Sequence, residues 1–215
     1  MPSPHVTAFL SFLLLVVVIL VLLDKMPASH IESEDVLYFG YGSNLWKDQM
    51  SLRCPSSHHI GIGRLFGYRW MINDRGYANV VPSSDKGMHV YGLVYSLTPS
   101  DERALDRNEG VPYAYTKQML SADFWASKED DGSVDVTKGA EKKQMLVYID
   151  RKRIEDYKPK EEYIHRINMG IKDGLKEGIP QEYFDQMLRR FIPVEGSKES
   201  EELSRRQASQ FEDEK

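Results

Sequence analysis

Between Val36 and Asp150 the apolar residues fall in short, irregularly spaced runs, many of them interrupted by glycine. A doubly wound sheet needs strands alternating with helices of crossover length, and that rhythm is missing. Short strands that bend at glycine suit a small barrel instead. The runs predict strands over Val36–Tyr41, Ile60–Asn73, Tyr77–Val81, His89–Leu97, Tyr113–Ala122 and Gln144–Asp150. A short helix is expected over Leu45–Leu52. Another starts at Thr98-Pro99-Ser100-Asp101, with Thr at the N-cap, Pro in the first turn and an acid behind it, and ends near Arg107–Gly110. Ser127–Lys143 is polar, carries an Asp131-Gly132 turn signal and reads as a long hairpin loop. Ile154–Glu177 has helical patterning with breaks at Gly170 and Gly174, and a second helix follows over Gln181–Arg190. The fold class is therefore α+β: a small mixed β-barrel flanked by helices.

The ends of the chain differ from this middle. Ala8–Leu23 carries no charge, and Val6 extends the run across Thr7. Its length is close to the ~17–25 residues of a membrane-spanning helix. The residues before it hold neither Lys nor Arg, and Pro27-Ala28-Ser29 is a poor cleavage site, so an anchor is favoured over a signal peptide. Lys25 on the C-terminal flank favours a cytosolic body. The alternative is entry to the secretory pathway with cleavage of the segment. The expected organisation is an N-terminal hydrophobic helix and polar linker over residues 1–35, a catalytic domain over 36–193, and a disordered charged tail over 194–215.

Composition removes several function classes. The net charge of −5 argues against a basic nucleic-acid-binding surface. One cysteine, Cys54, excludes an internal disulfide framework and any multi-cysteine metal site, and reads as a small packing residue. Gly61, Gly63 and Gly67 are one residue too widely spread for a dinucleotide fingerprint and read as strand glycines. His58-His59 reads as a surface loop, and His165 as solvent-facing. No ligand spacing for a metal is present, so neither metal nor cofactor is expected.

Two segments carry chemistry. Tyr41-Gly42-Ser43-Asn44 ends a strand and enters a helix, which gathers backbone N–H groups where an anion such as a carboxylate can sit. On local grounds alone the favoured reading is an ordinary strand-to-helix turn with Ser or Asn as its N-cap. Glu109 follows a helix in aromatic company, Tyr113 and Tyr115 among it. A carboxylate among rings loses hydration, and its pKa rises toward that of a general base.

VLYFGYGSNL (Val36–Leu45), LDRNEGV (Leu105–Val111) and YIHRINMGIKDGLKEGIPQEYFDQM (Tyr163–Met187) together resemble the γ-glutamylcyclotransferases. The resemblance implies a small barrel with flanking helices and a cavity floored by the Y-G-S-N loop. It implies Glu109 as the catalytic residue. It implies substrate binding by Tyr38, Phe39, Gly40, Tyr41, Gly42 and Ser43, with Asn44 beside them, by Tyr163 at the start of the C-terminal helix, and by Tyr115 across a small gap. The implied activity is that of a cofactor-independent lyase. The substrate's α-amine attacks its own γ-carbonyl, releasing 5-oxoproline and an amine, in the chemistry of glutathione metabolism. Family members acting on glutathione commonly read Y-G-S-L and those acting on γ-glutamyl-lysine Y-G-T-L, so Asn44 points to γ-glutamyl amino acid dipeptides as the small-molecule partner. Glutathione is the alternative substrate, and a non-catalytic membrane-anchored binding module of the same fold is the alternative from another class.

Overall fold

A computed structural model describes residues 35–127, 133–194 and 198–209. Among the described residues there are seven strands: β1 (Val36–Gly40), β2 (His58–Phe66), β3 (Tyr68–Ile72), β4 (Ala78–Pro82), β5 (His89–Leu97), β6 (Thr116–Ala126) and β7 (Glu141–Ile149). Five of them close a barrel in the order β1-β5-β2-β6-β7, and β3-β4 forms a separate two-stranded sheet. Closure is made where Tyr38 of β1 pairs in parallel with Leu146 of β7, all other barrel pairs being antiparallel. The helices are α1 (Lys47–Arg53), α2 (Pro99–Asn108), α3 (Glu161–Glu177), α4 (Gln181–Tyr183, continued by a π turn over Phe184–Leu188) and α5 (Lys198–Ser209). A 3-10 turn at Ser43–Leu45 links β1 to α1.

The expected α+β barrel is the observed one. Its glycines have a packing cause. Gly63 and Gly92 face each other across β2 and β5, and a Cβ on Gly63 would lie 2.7 Å from the Phe39 ring. The small residues thus leave room for a fully buried Phe39 inside the barrel. Thr98 caps α2 as expected, its Oγ1 accepting from the Asp101 N–H at 3.3 Å.

Several expectations are corrected. Ile60–Asn73 is not one strand. The chain turns at Gly67, whose φ of 75° suits glycine, and passes from the barrel into the small sheet. Gly170 and Gly174 do not break α3, which runs unbroken to Glu177 and stops at the left-handed Gly178. Gly170 instead admits the β1–α1 link: a Cβ there would come 2.7 Å from Leu45 Cβ. His58-His59 opens β2 and is not a loop. The disordered tail expected from residue 194 is contradicted over Lys198–Ser209, which is helical, with Ser204, Gln207 and Ala208 buried. Its few small residues suffice because hydrogen bonds hold it: Ser204 Oγ donates to the Glu162 carbonyl, and Arg53 donates to two of its carbonyls. The apolar run Val6–Leu23 lies outside the described residues. Among the described residues no helix is long and apolar enough to cross a membrane.

Candidate active site

Tyr38, Tyr41, Gly42, Ser43, Asn44 and Glu109 meet at one small cavity, joined there by Ala78, Tyr115, Tyr148 and Tyr163. β1 delivers the loop, the C-terminal end of α2 delivers Glu109, and the first turn of α3 delivers Tyr163. The loop and the glutamate, 65 residues apart in sequence, are joined by one side chain. Asn44 Nδ2 donates to Glu109 Oε1 at 3.0 Å and to the Tyr38 hydroxyl at 2.7 Å. Asn44 is itself held from behind, its Oδ1 accepting from Gln49 Nε2 at 2.7 Å and from Arg53 Nη1 at 3.3 Å.

Burial pushes the Glu109 carboxyl above the ordinary carboxylate range, against the pull of the Arg53 charge and the Asn44 hydrogen bond, with Arg166 and Arg75 pulling the same way. The surrounding phenols are also raised by burial, so Tyr38, Tyr41, Tyr115 and Tyr163 stay protonated at neutral pH. Most of these phenols have fixed roles. Tyr41 donates to the Tyr148 carbonyl at 2.6 Å, Tyr115 to the Ala78 carbonyl at 2.8 Å, and Tyr148 to Asp106 Oδ1 at 2.7 Å.

Tyr163 differs. Its hydroxyl oxygen accepts from Ser43 N at 3.1 Å and from Ala78 N at 3.2 Å. Two accepted bonds leave the O–H proton to donate, and the residue lines the cavity. The Ser43 N–H, one of the loop donors expected to face an anion, is therefore already taken by Tyr163. Gly42 makes this approach possible, since a Cβ there would lie 2.9 Å from Tyr163 Oη.

Not every expected residue reaches the cavity. Phe39 packs inside the barrel and Gly40 continues the β1–β5 ladder opposite Leu93, so neither lines it. Tyr113, expected beside Glu109, is 81% exposed. Burial pushes the Cys54 thiol up to about 12, in keeping with a packing role. His59 points toward Glu177, 3.7 Å away, and His165 stacks edge-on with Trp46. Among the described residues no cluster of three or more His, Cys, Asp or Glu side chains could hold a metal ion.

Sequence reasoning missed Tyr148, Ala78 and the second lobe of the cavity. That lobe shares Ser43, Glu109, Tyr115 and Tyr163 with the first and adds Arg53, Tyr77, Asn108 and Arg166. Tyr148 lies in an apolar strand run and Arg53 at a helix end, where no local pattern marks either as functional.

The family described as gamma-glutamyl cyclotransferase, AIG2-like, matches residues 38–165. The chain is 27% identical to a gamma-glutamylcyclotransferase of Bos taurus over 162 residues, which is 71% of this chain and 77% of the relative. It is 28% identical to that of Mus musculus over 165 residues, 73% of this chain and 79% of the relative. Among solved structures, an uncharacterised protein of Homo sapiens superposes with a TM-score of 0.60 at 23% identity, over 80% of this chain and 99% of the other. At that identity the superposition speaks to the fold.

Proposed function

The chain belongs to the gamma-glutamyl cyclotransferase, AIG2-like family, and on that premise we propose that it converts γ-glutamyl amino acid dipeptides to 5-oxoproline and a free amino acid, with Glu109 as the acid–base catalyst. The observation that carries the reading is the Asn44 bridge: one amide orients the Glu109 carboxylate over a phenol-lined cavity.

In this reading the γ-glutamyl group folds within the first lobe. Tyr163 donates its O–H to the α-carboxylate, and the loop backbone closes around it. Glu109 takes a proton from the α-ammonium. The freed amine attacks the γ-carbonyl carbon, a five-membered ring closes, and the amide C–N bond breaks. Glu109 returns its proton to the departing nitrogen and then relays the second proton shed by the ring nitrogen, so the lactam keeps one N–H and the amine leaves as an ammonium. A carboxylate with a raised pKa suits both halves of that exchange. The nucleophile belongs to the substrate, so the protein's main task is to hold a near-attack fold, worth up to ~7–11 kcal/mol in the best intramolecular cases.

The test is direct. The purified protein is offered γ-glutamyl-alanine, glutathione and γ-glutamyl-lysine, and 5-oxoproline is measured. The dipeptide should be the best substrate. A clear preference for glutathione would replace it, and no 5-oxoproline from any of the three would leave the binding-module reading. The reading also keeps Val6–Leu23 as a membrane anchor. The full chain should stay in the membrane pellet through carbonate washing, and secreted protein beginning after Ala28 would show a signal peptide instead.

A further inference from the structure

The second lobe of the cavity holds an unusual cation. Arg53 closes α1 and is 6% exposed. Its Nε donates to the Ala208 carbonyl at 3.1 Å, Nη2 to the Gln207 carbonyl at 3.0 Å, and Nη1 to Asn44 Oδ1 at 3.3 Å. All three acceptors are uncharged. The other arginine of the lobe, Arg166, is neutralised by a bidentate pair with Glu162, both bonds 2.9 Å. Among the described residues Arg53 thus uses three of its five N–H donors, none of them on a carboxylate, while its side chain lines an open lobe.

A guanidinium buried among neutral partners is costly unless an anion comes to it. Here burial lowers the Arg53 pKa to about 10. The carboxylate whose field reaches it, Glu109, lies across the Asn44 amide rather than against it. Ser43, Glu109, Tyr115 and Tyr163 line both lobes, so in the proposed reading a γ-carbonyl held beside Glu109, with its glutamyl half in the first lobe, directs its leaving half toward the second.

We infer that Arg53 is a binding residue for the carboxylate of the leaving amino acid, held ready by the C-terminal helix α5. The spacing is complementary. One amide separates Glu109 from Arg53, and in an α-amino acid one carbon separates the amine from the carboxylate. The amine can thus reach the glutamate while the carboxylate meets the guanidinium fork. The inference rests on the proposed cyclotransferase reading and narrows its substrate class. The second lobe selects γ-glutamyl α-amino acids with a free carboxylate next to the scissile amide. γ-Glutamyl amines lack that group, and in glutathione it sits one residue further out.

The experiment compares γ-glutamyl-alanine with γ-glutamyl-alaninamide, which differs only at that carboxylate. kcat/KM is measured for the full chain as wild type, Arg53→Lys and Arg53→Gln. The wild type should prefer the free carboxylate by about tenfold to a hundredfold, the range for a charge-assisted hydrogen bond. Arg53→Lys should keep part of that ratio and Arg53→Gln should bring it near one. If Arg53 only steadies Asn44, both substrates fall together, the ratio survives in Arg53→Gln, and the inference is overturned. If Arg53→Gln does not fold, the other two proteins decide: a wild-type ratio near one, or one unchanged by Arg53→Lys, overturns it. Absence of 5-oxoproline from both substrates with wild type would instead sink the cyclotransferase reading itself.

Discussion

Two carboxylates of this fold, one on the barrel and one at a helix end, each have an arginine nearby, and their titration moves in opposite directions. Asp123, on β6, accepts from Arg64 Nη2 at 2.8 Å and is paired with Lys142 as well. Arg64 also lies over the rings of Phe66 and Trp125, 4.5 and 4.9 Å from their centroids. Burial pushes the Asp123 carboxyl up, but the hydrogen bonds from Lys142 and Arg64 overcome it and hold the group below the usual range. Glu109 has Arg53 in range, yet an uncharged amide stands between them and burial prevails. The first arrangement stabilises a charge. The second keeps a carboxylate able to take and return a proton, because burial outweighs the groups that favour its ionised form.

Removing the proton carrier gives the largest expected effect. Glu109→Gln keeps the acceptor for Asn44 and nearly the same volume, so it should fold and bind substrate while turnover falls by ~10²–10⁴. A folded variant retaining more than about a tenth of wild-type kcat would show that Glu109 is not the base. The contrast can also be broken from the middle. Asn44→Asp places a new carboxylate against Arg53, paired as Asp123 is with Arg64, and sets a like charge beside Glu109. A like charge raises Glu109 further, so the acidic limb of the kcat/KM profile should move to higher pH, with a loss of roughly tenfold or more. Arg53, Arg166 and Arg75 oppose that shift. A limb that stays in place would mean the profile reports another group.

On the other side of the comparison, Asp123→Asn should leave activity intact and lower stability by about 1 kcal/mol, read as a lower denaturant midpoint. A matching loss of turnover would show the two regions to be coupled. The smallest effect tests the sign of the Glu109 shift. Its folded pKa lies above its unfolded value, so its contribution to stability is complete below the ordinary carboxylate range and is lost as pH rises through the raised value. Glu109→Gln should therefore melt above wild type at about pH 8, with the gap closing toward about pH 4. A gap of the opposite sign would place Glu109 among the stabilising carboxylates.

What local chemistry dictates was legible before any fold was known. Thr98-Pro99 had to start a helix, the glycine-punctuated runs had to make short strands, and a carboxylate just past a helix among tyrosines had reason to be more than surface. The loop and Glu109 could be named from their motifs. Their junction could not, because Asn44 touches Glu109 only once β1 and α2 are set against the same barrel. The glycines were visible as glycines, but whether one turns the chain, as Gly67 does, or admits a neighbour, as Gly170 does, depends on what packs there. The C-terminal helix shows the limit most clearly. Residues 198–209 are too polar to signal burial, and they become structure because Arg53 and the start of α3 supply hydrogen-bond partners from far back in the chain. Periodicity and capping act within a few residues, whereas the electrostatics of a buried charge depend on partners a hundred or more residues away, and only the folded chain brings those together.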